Sequence, residues 1–408
     1  MSPNRFYWGV GTLAFCLLVG GTARAQDYEV RGMQLFEPAD VRPYDNWAEP
    51  RKGFFIDFDG IYWYLTAPKK TTIGDPTPVF VFWNPTSQVT EADSLDTGRF
   101  RATWKQGDRI EFGFVGDHYG FLISTIELNQ QTEHIAADST NVVFNDTPFG
   151  TKPLATNLAA NWGTQAAPLY YESPVVFQHV SVVNIAKLSG VEVMGIYRPA
   201  QLPGGGSIEW MAGGRYLEFD DTFTFDGVGG VLDETTLENA VQNRIAGPQV
   251  GFRLNMPFGR VAVSVEGRAM AAVNTETVRQ DGVLARNIDG LFGLPASTGR
   301  LSSVAGNTGP IPYLLPPTSF QSSALFTEFT PLVELRAEAH CRLTNLITIK
   351  GGVTGMWMDG VGRAADMVDY SVTTLTGPPM GITTANVPDA NRQSLFVYGF
   401  NIGLEMNR

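Results

Sequence analysis

From residue 53 onward the chain alternates apolar and polar side chains with period two, segment after segment, and the connections between those segments alternate between short and long. Period-two alternation marks β-strands with two unlike faces. Ten such segments can be read: 53–66, 98–116, 119–132, about 176–198, about 207–226, 243–257, 260–276, about 323–343, 346–358, and the closing SLFVYGFNIGLEMNR. The short connections are 117–118, 199–206, 258–259 and 344–345; the long ones are 67–97, 133–175, 227–242, 277–322 and 359–393. Connections longer than about 12 to 15 residues are uncommon in compact soluble domains. Here all of them leave the same end of the sheet.

That asymmetry, with an even strand count, predicts an all-β fold: a transmembrane antiparallel up-and-down β-barrel of about ten strands, short periplasmic turns and long outer loops. Residues 53–408 form the barrel in this reading. The first 25 residues have a basic Arg5, an apolar run over 8–21 and Ala23-Arg24-Ala25 in the pattern of a cleavage site, so 1–25 reads as a Sec-type signal peptide. The polar, Pro-containing stretch 26–52 reads as an extended periplasmic segment. Two interruptions are expected within strands: a turn or bulge at Gln106-Gly107-Asp108, and a bulge where the alternation slips near Asp220-Asp221. The expected location is the cell outer membrane, with outer-membrane lipid and the barrel-assembly machinery as partners, and small polar solutes as candidate cargo.

Charge excludes one class of partner. Taking Arg5 and Arg24 from the 29 basic residues leaves 27 against 41 acidic, a net charge of −14. A nucleic-acid partner requires a basic footprint. Of the two cysteines, Cys16 falls in the signal segment, so Cys341 has no intramolecular disulfide partner.

LVELRAEAHCRL, residues 332–343, shows what the strands carry: Glu334, Arg336, Glu338, His340 and Arg342 on one parity, and an apolar row on the other. A membrane barrel turns its apolar row to lipid and its polar row to the lumen. The lumen-facing residues are therefore expected to include Arg253, Glu266, Arg268, Glu334, Arg336, Glu338, His340, Arg342 and Lys350. Pairings such as Glu266 with Arg253 and Glu338 with Lys350 would brace a narrow interior, because about eight strands enclose only their own side chains. Tyr62, Tyr64, Trp104, Trp210, Tyr216, Trp357 and Tyr398 are candidates for interfacial girdles.

Catalytic and cofactor signatures are sparse. The chain has no nucleophile elbow, C-x-x-C or H-E-x-x-H, and His118, His134, His179 and His340 are scattered over four segments. His134 with Asp138 is the best local pair for a barrel-rim hydrolase. Asp93/Asp96 and Asp366/Asp369 fall short of a calcium loop's ligand count. Asn145-Asp146-Thr147 is a bare sequon, and GVGGVLDE at 227–234 lacks phosphate-loop spacing. No cofactor, metal or catalytic residue is expected; the expected function is a narrow porin-like or structural envelope barrel with a charge-braced lumen, and a surface-binding barrel acting through 133–175 and 277–322 is the alternative.

LSGVEVMGIYR with GGSIEWMAGGRYLEFDDTF (188–223), NRIAGPQVGFRLNMPFGRVAVSVEGRAMAAV (243–273) and FTPLVELRAEAHCRLTNLITIKGGVTGMW (329–357) together resemble the planctomycete-type β-barrel porin family. The resemblance covers the last 220 or so residues well and the first 130 loosely. It implies an outer-membrane barrel and supplies no functional residue. Such barrels commonly close on an aromatic residue, where this chain reads Glu405-Met406-Asn407-Arg408.

Overall fold

The computed structural model describes residues 52–71, 73, 96–138, 179–199, 202, 205–228, 234–284, 318–344, 346–368 and 392–407, and the backbone of the short strands 81–84, 87–89, 154–156 and 175–177. Residues 1–25, where a signal peptide is expected, and almost all of 26–52 lie outside the described residues. Ten strands close into one antiparallel barrel in which each pairs with its neighbours in sequence and the last pairs with the first. We number them β1 (Gly53–Leu65), β2 (Trp104–Val115), β3 (Tyr119–Asp138), β4 (His179–Tyr197), β5 (Ser207–Val228), β6 (Thr235–Phe258), β7 (Val261–Leu284), β8 (Thr318–Arg342), β9 (Ile347–Gly362) and β10 (Arg392–Asn407). Among the described residues no helix is long and apolar enough to cross a membrane.

The register gives the barrel's stagger. Followed pair by pair, Phe58 leads through Ile110, Thr125, Val191, Tyr216 and Ala246 to Val273 of β7. In the other direction it leads through Leu404, Ile349 and Cys341 to Val261 of the same strand, so the offset from position 261 to 273 is 12 residues. Ten strands at this stagger tilt by about 40° to the barrel axis and enclose an interior little wider than an eight-stranded barrel's.

Several expected boundaries move, and one cause accounts for most of the changes. The connection expected at 227–242 is largely strand: β5 runs to Val228 and β6 starts at Thr235. β3 likewise runs to Asp138, and β7 and β8 extend to Leu284 and from Thr318. In the lower part of β5, near the short turns, polar Glu209 and Arg215 point inward and Trp210 and Tyr216 outward. Above Tyr216 the pattern inverts. Leu217, Phe219 and Phe223 point inward while Glu218, Asp220, Thr222 and Thr224 face out. β6 inverts in the same way, with Leu237 and Val241 inside and Glu238 and Gln242 outside. The lower part is lipid-type, apolar outside; the upper part is water-type, apolar inside.

The slip expected at Asp220-Asp221 is this inversion: pairing of β5 with both neighbours is continuous there. Pairing also runs unbroken through Gln106-Gly107-Asp108. The barrel's two register shifts fall elsewhere, between Leu128 and Gln131 and between Met358 and Val361. The segment expected to start a strand at 98 instead holds a 3-10 turn, Thr97–Arg99, whose Gly98 amide donates to the Asp96 side chain, and β2 begins at Trp104.

The inversion is directly testable on β7. Val265→Arg places a charge in the lower, lipid-type zone and should cost about 2–4 kcal/mol. Thr277→Arg, on the same outward row above the inversion, should stay within about 0.5 kcal/mol. Denaturant unfolding from lipid vesicles reads both.

Candidate functional site

The barrel interior is the candidate site, and its composition changes level by level. Nearest the short turns it is mixed: Phe55, Val115, Leu122, Met194, Ile196 and Met211 form a small buried apolar cluster on the β1–β5 side, and an ionic network lies beside and above it. Arg336 Nη1 donates to Glu111 Oε1 at 2.8 Å, and Arg109 and Arg215 both donate to Glu334, at 3.1 and 2.5 Å. Arg253 Nε donates to Glu266 at 2.6 Å, and Arg268 is paired with both Glu192 and Glu266. Lys350 Nζ sits 3.2 Å from Asp57 and 3.0 Å from Asp59. These groups come from strands right round the barrel, so the bonds run across the lumen as well as between neighbours. All are buried. Burying ions is costly unless each is paired and hydrogen-bonded, and the forked guanidinium meets several carboxylates at once. Inward glycines make room for the long side chains: a Cβ on Gly352 would stand 2.7 Å from Glu338 Cγ.

Above the ionic level lies an apolar one. Ile61, Trp63, Leu128, Leu188, Leu217, Phe219, Ile245, Met270, Leu332, Met356, Leu395 and Val397 belong to one buried cluster that fills the barrel's cross-section. A guanidinium caps it on each side. Arg109 lies 5.2 Å from the Trp63 ring centroid, and Arg363 lies 5.4 Å from that of Phe219. Each cation thus gains a ring face in place of water.

The upper level is polar and is sealed by chain that folds inward. After the register shift beyond Met358, Gly360 takes a φ of 71°, a conformation that favours glycine. The segment after β9 then enters the barrel. Asp221 accepts from Arg363 Nε at 2.7 Å, from the Ala364 amide at 2.9 Å and from Asn184 at 3.1 Å. Asn243 bonds both the amide and the carbonyl of Gly362, and Asn239 donates to the Ala364 carbonyl at 2.6 Å. Two further segments join it. Thr71 donates to Asp366 at 2.8 Å, Gln393 donates to the other carboxyl oxygen at 2.7 Å, and the Thr97 amide donates to the Thr71 carbonyl at 2.9 Å. Burial pushes the Asp366 carboxyl up to about 6. A cavity of about 10 Å³, the volume of one water, lies beside Arg109, Ser124, Glu192, Arg215 and Arg268.

Arg253, Glu266, Arg268, Glu334, Arg336, Glu338 and Lys350 are all buried within this interior. Glu266 pairs with Arg253, but Lys350's nearest carboxylates are Asp57 and Asp59, while Glu338 accepts from Asn401 at 2.6 Å. His340 is nearly buried, bonded to Ser264 at 2.9 Å between Glu338 and Glu405. Arg342 is half-buried at the lower rim. Cys341 is a free, exposed thiol on the outward row. Sequence reasoning passed over Asp57, Asp59, Arg109, Glu111, Glu192, Arg198, Glu209, Arg215 and Glu405, which complete the network. The signal was present: each shares the parity opposite an apolar outward row, as Asp57 and Asp59 do against Phe54, Ile56 and Phe58.

Of the remaining candidates, Asp93, Asp369 and Asn145 lie outside the described residues. His134 points outward, and its Nε2 meets Ser181 Oγ at 3.0 Å on the convex face. Asp226 stands opposite Ser181 in the next strand. In register the serine's strand thus stands between those of His134 and Asp226, whereas a catalytic triad needs the imidazole in the middle. Among the described residues no group of three or more His, Cys, Asp or Glu is placed to hold a metal ion.

Two outcomes follow for this interior. Glu334→Ala leaves Arg109 and Arg215 facing a lost carboxylate and should cost about 3–5 kcal/mol. Arg279→Ala, which opens the exposed Arg279–Asp281 pair, should cost under about 1 kcal/mol. Denaturant titration in vesicles separates them. Because Asp366 titrates higher in the fold, near 6, than its ordinary 3.8, its protonation favours the folded seal. That contribution is complete below pH 3.8 and is lost as pH rises through about 6. Amide hydrogen exchange across 363–368, corrected for intrinsic rates, should show protection falling over that window, and Asp366→Asn should remove the dependence.

Comparisons place the chain among known proteins. No curated protein matches it in sequence. Among solved structures, the outer membrane protease OmpT of Escherichia coli is similar at 6% identity and a TM-score of 0.40, over 88% of this chain and 97% of that one. The transport unit of the autotransporter AIDA-I from Escherichia coli is similar at 7% identity and a TM-score of 0.26, over 98% of each chain. A Pseudomonas aeruginosa FadL homologue is similar at 7% identity and a TM-score of 0.18, over 87% of this chain and 89% of that one. The family described as "Putative beta barrel porin-7 (BBP7)" matches residues 88–407. With most of the barrel inside that match, the chain belongs to the beta barrel porin-7 family.

Proposed function

We propose that this protein is a closed, non-enzymatic outer-membrane barrel that serves the envelope as a structural and display element and not as an open pore. The observation that carries this is the cross-section. An ionic level, an apolar level and an inserted seal follow one another along the axis, and the cavity beside Arg109 and Arg268 is water-sized. A solute-conducting porin needs a water-filled interior; among the described residues this interior is filled by side chains instead. The lower apolar belt suits outer-membrane lipid, and the short turns at one end suit export by the signal segment and insertion by the barrel-assembly machinery. The net charge argues against nucleic acid.

Display is supported by strand length. β6 and β7 have 24 residues and β8 has 25, where about 9–11 cross a bilayer. The surplus is water-type barrel, which carries the described strands well beyond the bilayer. A non-enzymatic role is supported by the triad geometry that His134 and Ser181 fail to meet.

A planar-bilayer recording tests the reading. Folded protein, verified by its heat-modifiable gel mobility, should insert without stable conductance steps. Reproducible steps of fixed size would overturn it in favour of a pore.

A further inference from the structure

The outward apolar belt is far from even around the barrel. On β7 the outward row runs apolar from Val261 to Val273, seven positions, before Thr275. On β2 only Phe114, Phe112 and Ile110 precede the outward Asp108, and on β3 the row gives way at Glu127. Outward residues are about 6.6 Å apart along a strand, or about 5 Å in height at a tilt of about 40°. The β7 row then spans about 30 Å and the β2 row about 10 Å, against an apolar band of about 25 Å for barrels of this kind. Asp108 pairs with Gly60, so it stands below Tyr62 and Tyr64 of the adjacent strand. It is also directly opposite Glu127, which forms an exposed pair with Lys187 of β4 at 3.1 Å. Trp104, higher on β2, leans the other way and stacks on Tyr62 at 5.3 Å.

We propose that the β2–β3–β4 face thins the bilayer beside it, drawing the outer headgroups and water down to Asp108 and Glu127. The proposal rests on the membrane reading above. Mismatch of this kind is relieved by thinning the bilayer and by charged side chains reaching to the interface, at a fraction of a kcal/mol per Å. Immersing these charges in full-thickness hydrocarbon would carry its own depth-dependent cost, which thinning removes. Burial against a second copy is disfavoured by charge. A two-fold axis along the membrane normal would bring the Asp108–Glu127 pair of one copy against the same pair of the other.

Spin labels test it in full-length protein reconstituted in phosphatidylcholine vesicles, with native cysteines replaced by serine. Thr125→Cys lies just below the notch. Ala269→Cys lies at nearly the same level on β7, given the register and a tilt of about 40°. The label at 125 should be several-fold more accessible to a water-soluble nickel chelate than the label at 269, and less accessible to oxygen. Adding Asp108→Leu and Glu127→Leu should shift the 125 label toward the lipid signature. Equal lipid immersion at both sites would overturn the proposal, as would shielding of the 125 label from both reagents, the mark of a second copy. Water exposure at both sites would instead overturn the membrane reading.

Discussion

A strand inside a membrane has no water to satisfy its amides, so its hydrogen bonds must all go to other strands, and a sheet meets that demand without an edge only by closing. Ten strands at a stagger of 12 residues close here through the β1–β10 ladder. Closure fixes the interior width, and the width dictates the rest. An interior only somewhat wider than an eight-stranded barrel's is filled by its own side chains, so the inward row of every strand must pack with nine others. Arg336 reaching Glu111 and Arg109 reaching Glu334 are contacts between strands far apart in sequence that only such a narrow ring brings together.

The ionic level is better understood as a means of arranging charge than as a source of stability. Desolvating so many ions offsets most of what their attraction returns. What the network does enforce is registry: carboxylates are shared between strands, as Glu334 is by Arg109, Arg215 and Arg336, so a one-residue slip of a strand that supplies them would break several bonds and turn a charge toward lipid. The apolar level has a different role. It excludes water from the axis, and the guanidiniums of Arg109 and Arg363 give its two polar boundaries ring faces to rest on.

The lower barrel was legible in the sequence because one rule, apolar outside and polar inside, governs most of its strands, with Leu122 of β3 and Met194 of β4 among the inward exceptions. Residues such as Glu334, Arg336 and Lys350 fall on the inward row for that reason. The upper barrel was not legible, because above the membrane zone the rule inverts while the backbone continues. At Leu217 to Thr224 the inversion imitates a bulge, and at 235–242 it imitates a loop. The inserted seal left no periodic trace at all. Arg363, Thr71 and Asp366 meet only in three dimensions, and the turn that carries the chain inward depends on a single glycine, Gly360, within a strand.

That turn ties the seal to the wall of the barrel. Residues 363–367 continue directly from β9, whose last pairs, Val361 with Gln393 and Gly362 with Arg392, are part of the sheet. Segment 363–367 is also anchored to β5 and β6 through Asp221 and Asn239. Tension applied from outside to the chain beyond residue 368 would therefore be borne first by those side-chain anchors. Only after they yielded would it unzip the β9–β10 ladder from the top, making the seal a mechanical fuse placed ahead of the barrel itself.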